Sequence, residues 1–303
     1  MTSPPFTPFG GDDVPYCRRE AARVVVLPLC YENAVSYGTG TAAGPLHLLD
    51  ASQQLEVLDE ESGLRWDTVG IHTCRPMRFS REPEHAVEEM EAAAREVLDG
   101  NSFLLGLGGD HAVSIGLIRA ASRAHPSLSV LQIDAHPDLR DRWNGSRFNH
   151  ACVMRRVVED MGLSVVQVGV RTLCPEEASF LKEHDVHTFF AHHIDPLDFS
   201  WVERAVAFLG DPVYITLDLD GLDPSVVPGT GTPEPGGLSF RQVVRLIAAV
   251  GASKTVVGAD IVELSPIPGQ QVSEYTAAKL AAKIIMHCVV LRSDVKKTVS
   301  SEQ

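Results

Sequence analysis

The stretch Leu131-Gln132-Ile133-Asp134-Ala135-His136-Pro137-Asp138 decides how this chain is read. It runs apolar and then ends in Asp-x-His-x-Asp. On an extended strand, residues i, i+2 and i+4 point to one face. Asp134, His136 and Asp138 are therefore expected to project together from the end of a buried strand. Two carboxylates and an imidazole on one face are metal ligands or a costly cluster of like charge. The pattern returns at Ile215-Thr216-Leu217-Asp218-Leu219-Asp220. Two strands that end in carboxylates at spacing two point to one site for more than one metal ion.

Outward from this stretch, short apolar runs read as strands at 24–29, 66–73, 102–107, 128–134, 164–170, 186–190, 213–219 and 255–262. Continuous runs of this length suit strands buried on both faces, as in parallel sheets. Helical patterns lie between them. In 83–98, Val87, Met90, Ala94 and Val97 recur near helical spacing and Gly100 follows as a stop. Further helices are expected at 114–124, 152–161, 175–183, 199–209, 239–250 and 273–290. The alternation predicts an α/β fold: a single doubly wound, mostly parallel eight-stranded sheet flanked by helices. No Ser/Gly linker splits the chain. The expected division is an irregular Pro/Gly-rich arm at 1–22, one large domain at 23–292 and a polar tail at 293–303.

Ligands of such sheets bind beyond the carboxyl ends of the strands, and the unusual residues cluster there. His111 follows one strand through Gly108-Gly109-Asp110. Asp134 to Asp138 follow the next, Asp218 and Asp220 a later one, and Glu263 ends the last.

Bulk properties narrow the function. The 303 residues are 44% hydrophobic and carry a formal net charge of −14. That charge argues against nucleic-acid partners, which need basic patches, and suits a cationic substrate. The six cysteines are scattered without a Cys-x-x-Cys pair, so neither a structural zinc nor a disulfide framework is expected. Met1-Thr2-Ser3-Pro4-Pro5 has neither a basic nor an apolar signal region, and no apolar run reaches the roughly 20 residues of a membrane span. A cytoplasmic protein without membrane partners is the expectation.

His111, Asp134, His136, Asp138, Asp218 and Asp220 are too many ligands for one structural zinc. They suit two divalent ions; carboxylates favour Mg, Ca or Mn, and the imidazoles pull toward Mn, Fe, Co or Zn. Two ions about 3.5–4 Å apart can generate hydroxide near neutral pH, which is hydrolase chemistry. Each piece has a bland reading: Asp-x-Asp as a turn or cap, Gly-Gly-Asp-His as a turn into a helix. Their joint placement at strand ends tells against it, because four unpaired carboxylates would repel strongly.

The ordered set Gly108-Gly109-Asp110-His111, Asp134-Ala135-His136-Pro137-Asp138 and Asp218-Leu219-Asp220-Gly221-Leu222-Asp223-Pro224 resembles the ureohydrolase (arginase/agmatinase) family. Pro228-Gly229-Thr230-Gly231-Thr232-Pro233 and Ala259-Asp260-Ile261-Val262-Glu263-Leu264-Ser265-Pro266 extend the match. The resemblance implies two Mn2+ per chain. One would take His111, Asp134, Asp138 and Asp218, the other Asp134, His136, Asp218 and Asp220, with Asp134 and Asp218 bridging. It also implies hydrolysis of a small cationic guanidino compound to urea and an amine, by a homotrimer or homohexamer. His150 matches the family's mobile proton-transfer histidine; the plainer reading is a loop histidine that caps structure. Glu263 would hold the guanidinium by a charge-assisted pair, or else form a strand-end salt bridge. Thr232 would hydrogen-bond the reacting group or serve a turn. Asp110 and Asp223 read as orienting or turn residues, His192 and His193 as surface or packing. Cys152, beside His150, has no expected role as a nucleophile.

The resemblance is closer to agmatinases than to arginases. Cys174 stands where arginases carry an Asp that reads the α-ammonium. Residues 143–149 replace a Ser-Gly-Asn run that reads the α-carboxylate. Agmatine, giving putrescine and urea, is the expected substrate. Arg140, Arg142 and Arg147 lie in the same loop. If one faces the pocket, a guanidino acid such as guanidinobutyrate or guanidinopropionate becomes the alternative, alongside an arginase-like activity. A zinc amidohydrolase would keep fewer of these acids. A non-catalytic member with a regulatory or scaffold role would be marked by a lost ligand or a lost His150, and none is lost.

Overall fold

The structure is a computed structural model that describes residues 6–33, 35–100 and 102–292. The expected tail at 293–303 and the first five residues of the arm lie outside the described residues. Eight strands form one sheet: β1 (Val24–Leu29), β2 (Ile71–Thr73), β3 (Phe103–Gly108), β4 (Ser129–Ile133), β5 (Ser164–Val168), β6 (Val186–Phe189), β7 (Val213–Asp218) and β8 (Val256–Val262). Their order is β2-β1-β3-β8-β7-β4-β5-β6, and every pairing is parallel. The apolar runs are continuous because both faces are covered. Val24, Val26, Leu105, Leu131, Ile215 and Ile261 face one apolar layer; Val25, Leu27, Leu104, Val130 and Val165 face the other.

Helices α1 (Gly44–Ser52), α6 (Ser200–Phe208), α7 (Phe240–Ser253) and α8 (Val272–Ile285) supply the first layer. Helices α2 (Pro83–Asp99), α3 (Val113–Ala124), α4 (Val153–Arg155) and α5 (Pro175–Glu183) supply the second. The doubly wound α/β architecture expected from the alternation is the one found. Three details differ. Residues 66–69 form a 3₁₀ turn instead of strand, because Trp66 turns inward onto Phe9 (5.6 Å between ring centres) and Gly70, at φ 78°, starts β2 late. The helices at 152–161 and 273–290 relax into π-turns at Arg156–Asp160 and Met286–Val290. Helix α1 was not expected: Pro45 in its first turn marks the start, and Leu48, Leu49 and Ser52 line its buried face.

The arm is tied to this frame. Phe9 is buried, its amide donates to Thr73 Oγ1, and the Gly10 amide donates to Ser52 Oγ. The far end of α8 is held electrostatically. Lys283, 1% exposed, donates from Nζ to Asp59 Oδ1 at 2.5 Å and also meets Glu60. Burial opposes ionisation of Asp59, but Lys283 and two hydrogen bonds from Ser62 overcome it and draw its pKa to about 2. A depressed carboxylate pKa contributes stability above its unfolded value, which is lost as pH falls toward the folded one. Lys283→Ala, which leaves Asp59 buried without its cation, should cost about 3–5 kcal/mol at pH 7 in urea unfolding. The difference from wild type should shrink as pH falls from about 4 toward 2; a constant difference across that range would refute the assignment.

Candidate metal centre and substrate pocket

Four strands with adjacent places in the sheet, β3, β8, β7 and β4, end at one cavity of about 390 Å³. Each delivers its residue by a tight local device. After β3 the chain reverses through Gly108-Gly109, where a side chain at Gly109 would stand 1.8 Å from the Tyr31 carbonyl; only glycine fits. Asp110 then accepts from the amides of Asn33 and Ala112, which fixes the turn that presents His111. Two non-glycine residues of the cavity wall, Asp138 (φ 51°) and Glu263 (φ 64°), have left-handed backbone. Such conformations persist where surrounding bonds over-determine them. The Glu263 amide donates to the Gly109 carbonyl, and Glu263 Oε1 accepts from the His111 amide at 2.8 Å.

The six expected ligands come together. His111 Nδ1 lies 2.9 Å from Asp138 Oδ2, 3.1 Å from Asp134 Oδ2 and 3.3 Å from Asp218 Oδ2. His136 Nδ1 lies 3.0 Å from Asp220 Oδ2 and 3.5 Å from Asp134 Oδ1. Two triads could each hold a metal ion, His111–Asp134–Asp218 and Asp134–His136–Asp220, with Asp134 common to both. Asp218 belongs to the first, and its other oxygen accepts from the Asp220 amide.

The donor chemistry fits a cation. His111 Nε2 is 2.9 Å from Thr216 Oγ1, and that hydroxyl donates to Asp260 Oδ1 at 2.7 Å. The hydroxyl therefore accepts the Nε2 proton, an assignment made from the hydrogen-bond network, and the Nδ1 lone pair faces three carboxylates. Lone pairs this close repel unless a proton or a metal ion lies among them. With only a proton available, burial opposes charging His111, yet Asp134, Asp138 and Asp218 drive its pKa well above the ordinary value. Burial and the Asp134 charge raise Asp138 to about 7. Metal binding has to displace those protons.

Several residues that orient these groups escaped the sequence reading. Thr188 donates to Gln167, Gln167 to Gln132, and Gln132 Nε2 to Asp134 Oδ2 at 2.7 Å, a relay across three strands. Tyr214 and Thr216 both donate to Asp260. Arg171 ties the β7 loop down by bonds to the carbonyls of Asp220, Gly221 and Leu222. The available signal was a polar residue inside an otherwise apolar strand.

The remaining expected residues fall as follows. Glu263 and His150 line the cavity. His150 Nε2 is 2.8 Å from Ser36 Oγ, and its buried Nδ1 has no hydrogen-bond partner among the described residues. Burial, then the charges of His111 and His136, push the His150 pKa down to about 4. Burial, then the Asp110 charge, raises Glu263 well above the carboxylate range. Thr232 lines the cavity, but its hydroxyl donates to Asp220 Oδ2 at 3.2 Å. Of the three loop arginines, Arg140 lines the cavity and stacks 4.2 Å over Trp143, whereas Arg147 pairs with Asp141 and Asp160 and Arg142 is exposed. Asp223 closes a turn by accepting from Ser225, Gly236 and Gly237. His192 and His193 sit in a 3₁₀ turn away from the cavity. Cys152 is buried and burial pushes its thiol up to about 12, which removes it as a nucleophile.

Clustered acids and imidazoles on central strand ends, opening to a polar pocket, define a hydrolytic centre, and comparison with known proteins supplies its family. The chain belongs to the arginase family, whose model matches residues 22–290. It is 40% identical to an N(1)-aminopropylagmatine ureohydrolase of Synechocystis sp. (87% of this chain, 88% of that one). It is 32% identical to an agmatinase of Bacillus subtilis (88% and 90%). The crystal structure of the agmatine ureohydrolase of Thermoplasma volcanium superposes with a TM-score of 0.82 at 29% identity, covering 89% of this chain and 91% of that one. The protein is a ureohydrolase, an enzyme that cleaves a guanidino carbon–nitrogen bond.

Thr216→Val keeps the shape of the side chain but removes the acceptor for His111 Nε2–H. It should weaken Mn2+ binding in isothermal titration calorimetry by about 10–100-fold. Binding to the wild type should release protons, and its affinity should fall as pH drops below about 7. Unchanged affinity in the variant, or binding without proton release, would remove the proposed role of the Thr216–His111 pair.

Proposed function

We propose that the enzyme holds two Mn2+ ions on His111, Asp134, His136, Asp138, Asp218 and Asp220. We propose further that it hydrolyses a linear guanidino amine, N(1)-aminopropylagmatine in preference to the shorter agmatine, to urea and the freed polyamine. When bound, such an ion pair supplies a strong nucleophile from water at neutral pH. Glu263 holds the guanidinium: one carboxylate oxygen is committed to the His111 amide, and the other stands on the Gly231 side of the cavity, open to the substrate. Thr232 keeps Asp220 in place beside the reacting group. His150, neutral because its pKa is low, takes up a proton and returns it to the leaving amine, while Ser36 holds its Nε2.

The observation that carries the substrate is the division of the cavity. The acids Asp138, Asp218 and Asp220 are buried, whereas Tyr37 and Leu173 are exposed and with Trp143 add apolar surface to the lining. A guanidinium fits the acids, and a methylene chain with an outer amine fits the apolar lining. The relative named for the aminopropylated substrate is also more similar than the agmatinase, 40% against 32% identity. One observation favours a second reading. Arg140 belongs to the same lining and makes no ion pair among the described residues, so a guanidino acid such as guanidinobutyrate could place its carboxylate there.

Urea release after Mn2+ loading separates the readings. N(1)-aminopropylagmatine should give the highest kcat/KM, agmatine a lower one, and arginine, guanidinobutyrate, guanidinopropionate and guanidine little. Faster turnover of guanidinobutyrate, abolished by Arg140→Met, would establish the second reading and overturn the first. His150→Ala should retain both ions and slow turnover by roughly 10²–10⁴-fold; full activity would free His150 from the proton route.

A further inference from the structure

A second cavity, of about 610 Å³, lies between the end of α1 and the start of α8, bounded by the loop at 266–271. Its walls are largely apolar, with Ala51, Ile267 and Tyr275 among them. Glu274 also lines it and is only 6% exposed, and its Oε2 is buried without a hydrogen-bond partner among the described residues. No ion pair reaches Glu274 among the described residues, although a buried carboxylate is costly unless paired. Its place in the first turn of α8 offsets part of that cost through the helix dipole. The N-cap residue, Gln271, receives no side-chain cap bond, so capping does not use the spare oxygen. The other charged or titratable groups on the wall are His47, Asp50, which accepts from Gln53, and Tyr275, whose hydroxyl donates to the Gln54 carbonyl.

An unpaired carboxylate in the lining of a largely apolar cavity is complementary to an ammonium group on a methylene chain. We propose that this cavity is a binding site for a linear alkylammonium ion, separate from the catalytic pocket. A ureohydrolase releases such an amine at each turnover, so the inference rests on the reaction class and not on which guanidino amine is the substrate. The cavity adjoins the catalytic wall. Ser273, the neighbour of Glu274, accepts from the Gly229 amide, and Ser265 donates from its hydroxyl to the Thr39 carbonyl and from its amide to the Gly229 carbonyl.

Calorimetric titration of the Mn2+-loaded enzyme with 1,4-diaminobutane tests the site. Two binding events per chain are expected, the catalytic one identified by its loss in Glu263→Gln. Glu274→Gln should weaken the other by about 10-fold or more, the size of a lost charge-assisted bond. Ala51→Trp, which fills the trough and leaves the carboxylate in place, should do the same. Both variants should release urea within about twofold of wild type without added amine, which keeps this test independent of the substrate assignment. A single event in wild type would overturn the proposal, as would unaltered diamine binding in both variants when their thermal melts match wild type. So would a crystal of the oligomer in which a side chain of a neighbouring copy pairs with Glu274.

Discussion

Mutual repulsion among acceptors is the constraint on which the rest of the molecule depends. Asp134, Asp138, Asp218 and the Nδ1 lone pair of His111 are aimed at one point from three strand ends, and Asp220 and His136 at a second point beside it. An arrangement of this kind is unfavourable by itself, so the scaffold must hold it rigidly and a cation must complete it. The rigidity comes from the centre of the sheet. Strands β3, β8, β7 and β4 are flanked on both sides by further strands and on both faces by helices. Their polar interior residues then have one use, to fix the ligands. Gln132 and Gln167 orient Asp134, and Thr216 with Asp260 sets the tautomer of His111. Removal of such a partner leaves the ligand present but free to turn, which is why the buried polar residues matter as much as the ligands they serve.

Much of this was legible in the sequence because two physical signals are strong. Acids at the end of an apolar run mark the strand ends that meet, and Asp134, Asp138, Asp218 and Asp220 all reach the cavity or its floor. Turns and not a shared strand face bring them there: β4 ends at Ile133, Asp138 is left-handed at φ 51° and Asp220 lies in the 3₁₀ turn Leu219–Gly221. Continuous apolar runs of strand length told of a sheet covered on both faces. Strand order was not legible. That β8 lies between β3 and β7, and so brings Glu263 beside His111, depends on pairings across about 150 residues that leave no local mark. The orienting residues were hidden for a related reason. Gln132 or Thr216 inside an apolar strand is recognisable only once its partner in a neighbouring strand is known. Helix α1 was missed because nine residues with two adjacent leucines give too short a periodic signal, and no glycine stop follows.

The same contrast separates what the centre does from what it acts on. The floor of the pocket answers to strong forces: charge, coordination and strand geometry. The loops at 35–38 and 140–151 add lining whose side chains are set by weaker contacts such as the stack of Arg140 on Trp143 and the hydrogen bond between Ser36 and His150. A stacked guanidinium keeps its charge while its face is covered, so its edge nitrogens alone remain to meet a ligand. For a cationic substrate chain the same stack would offer the aromatic side of Trp143 and the methylenes of Arg140 as lining, while the charge of Arg140 would oppose an ammonium placed beside it. Under the proposed reading, the stacked Arg140 is the lining residue against which the outer end of the guanidino substrate is tested.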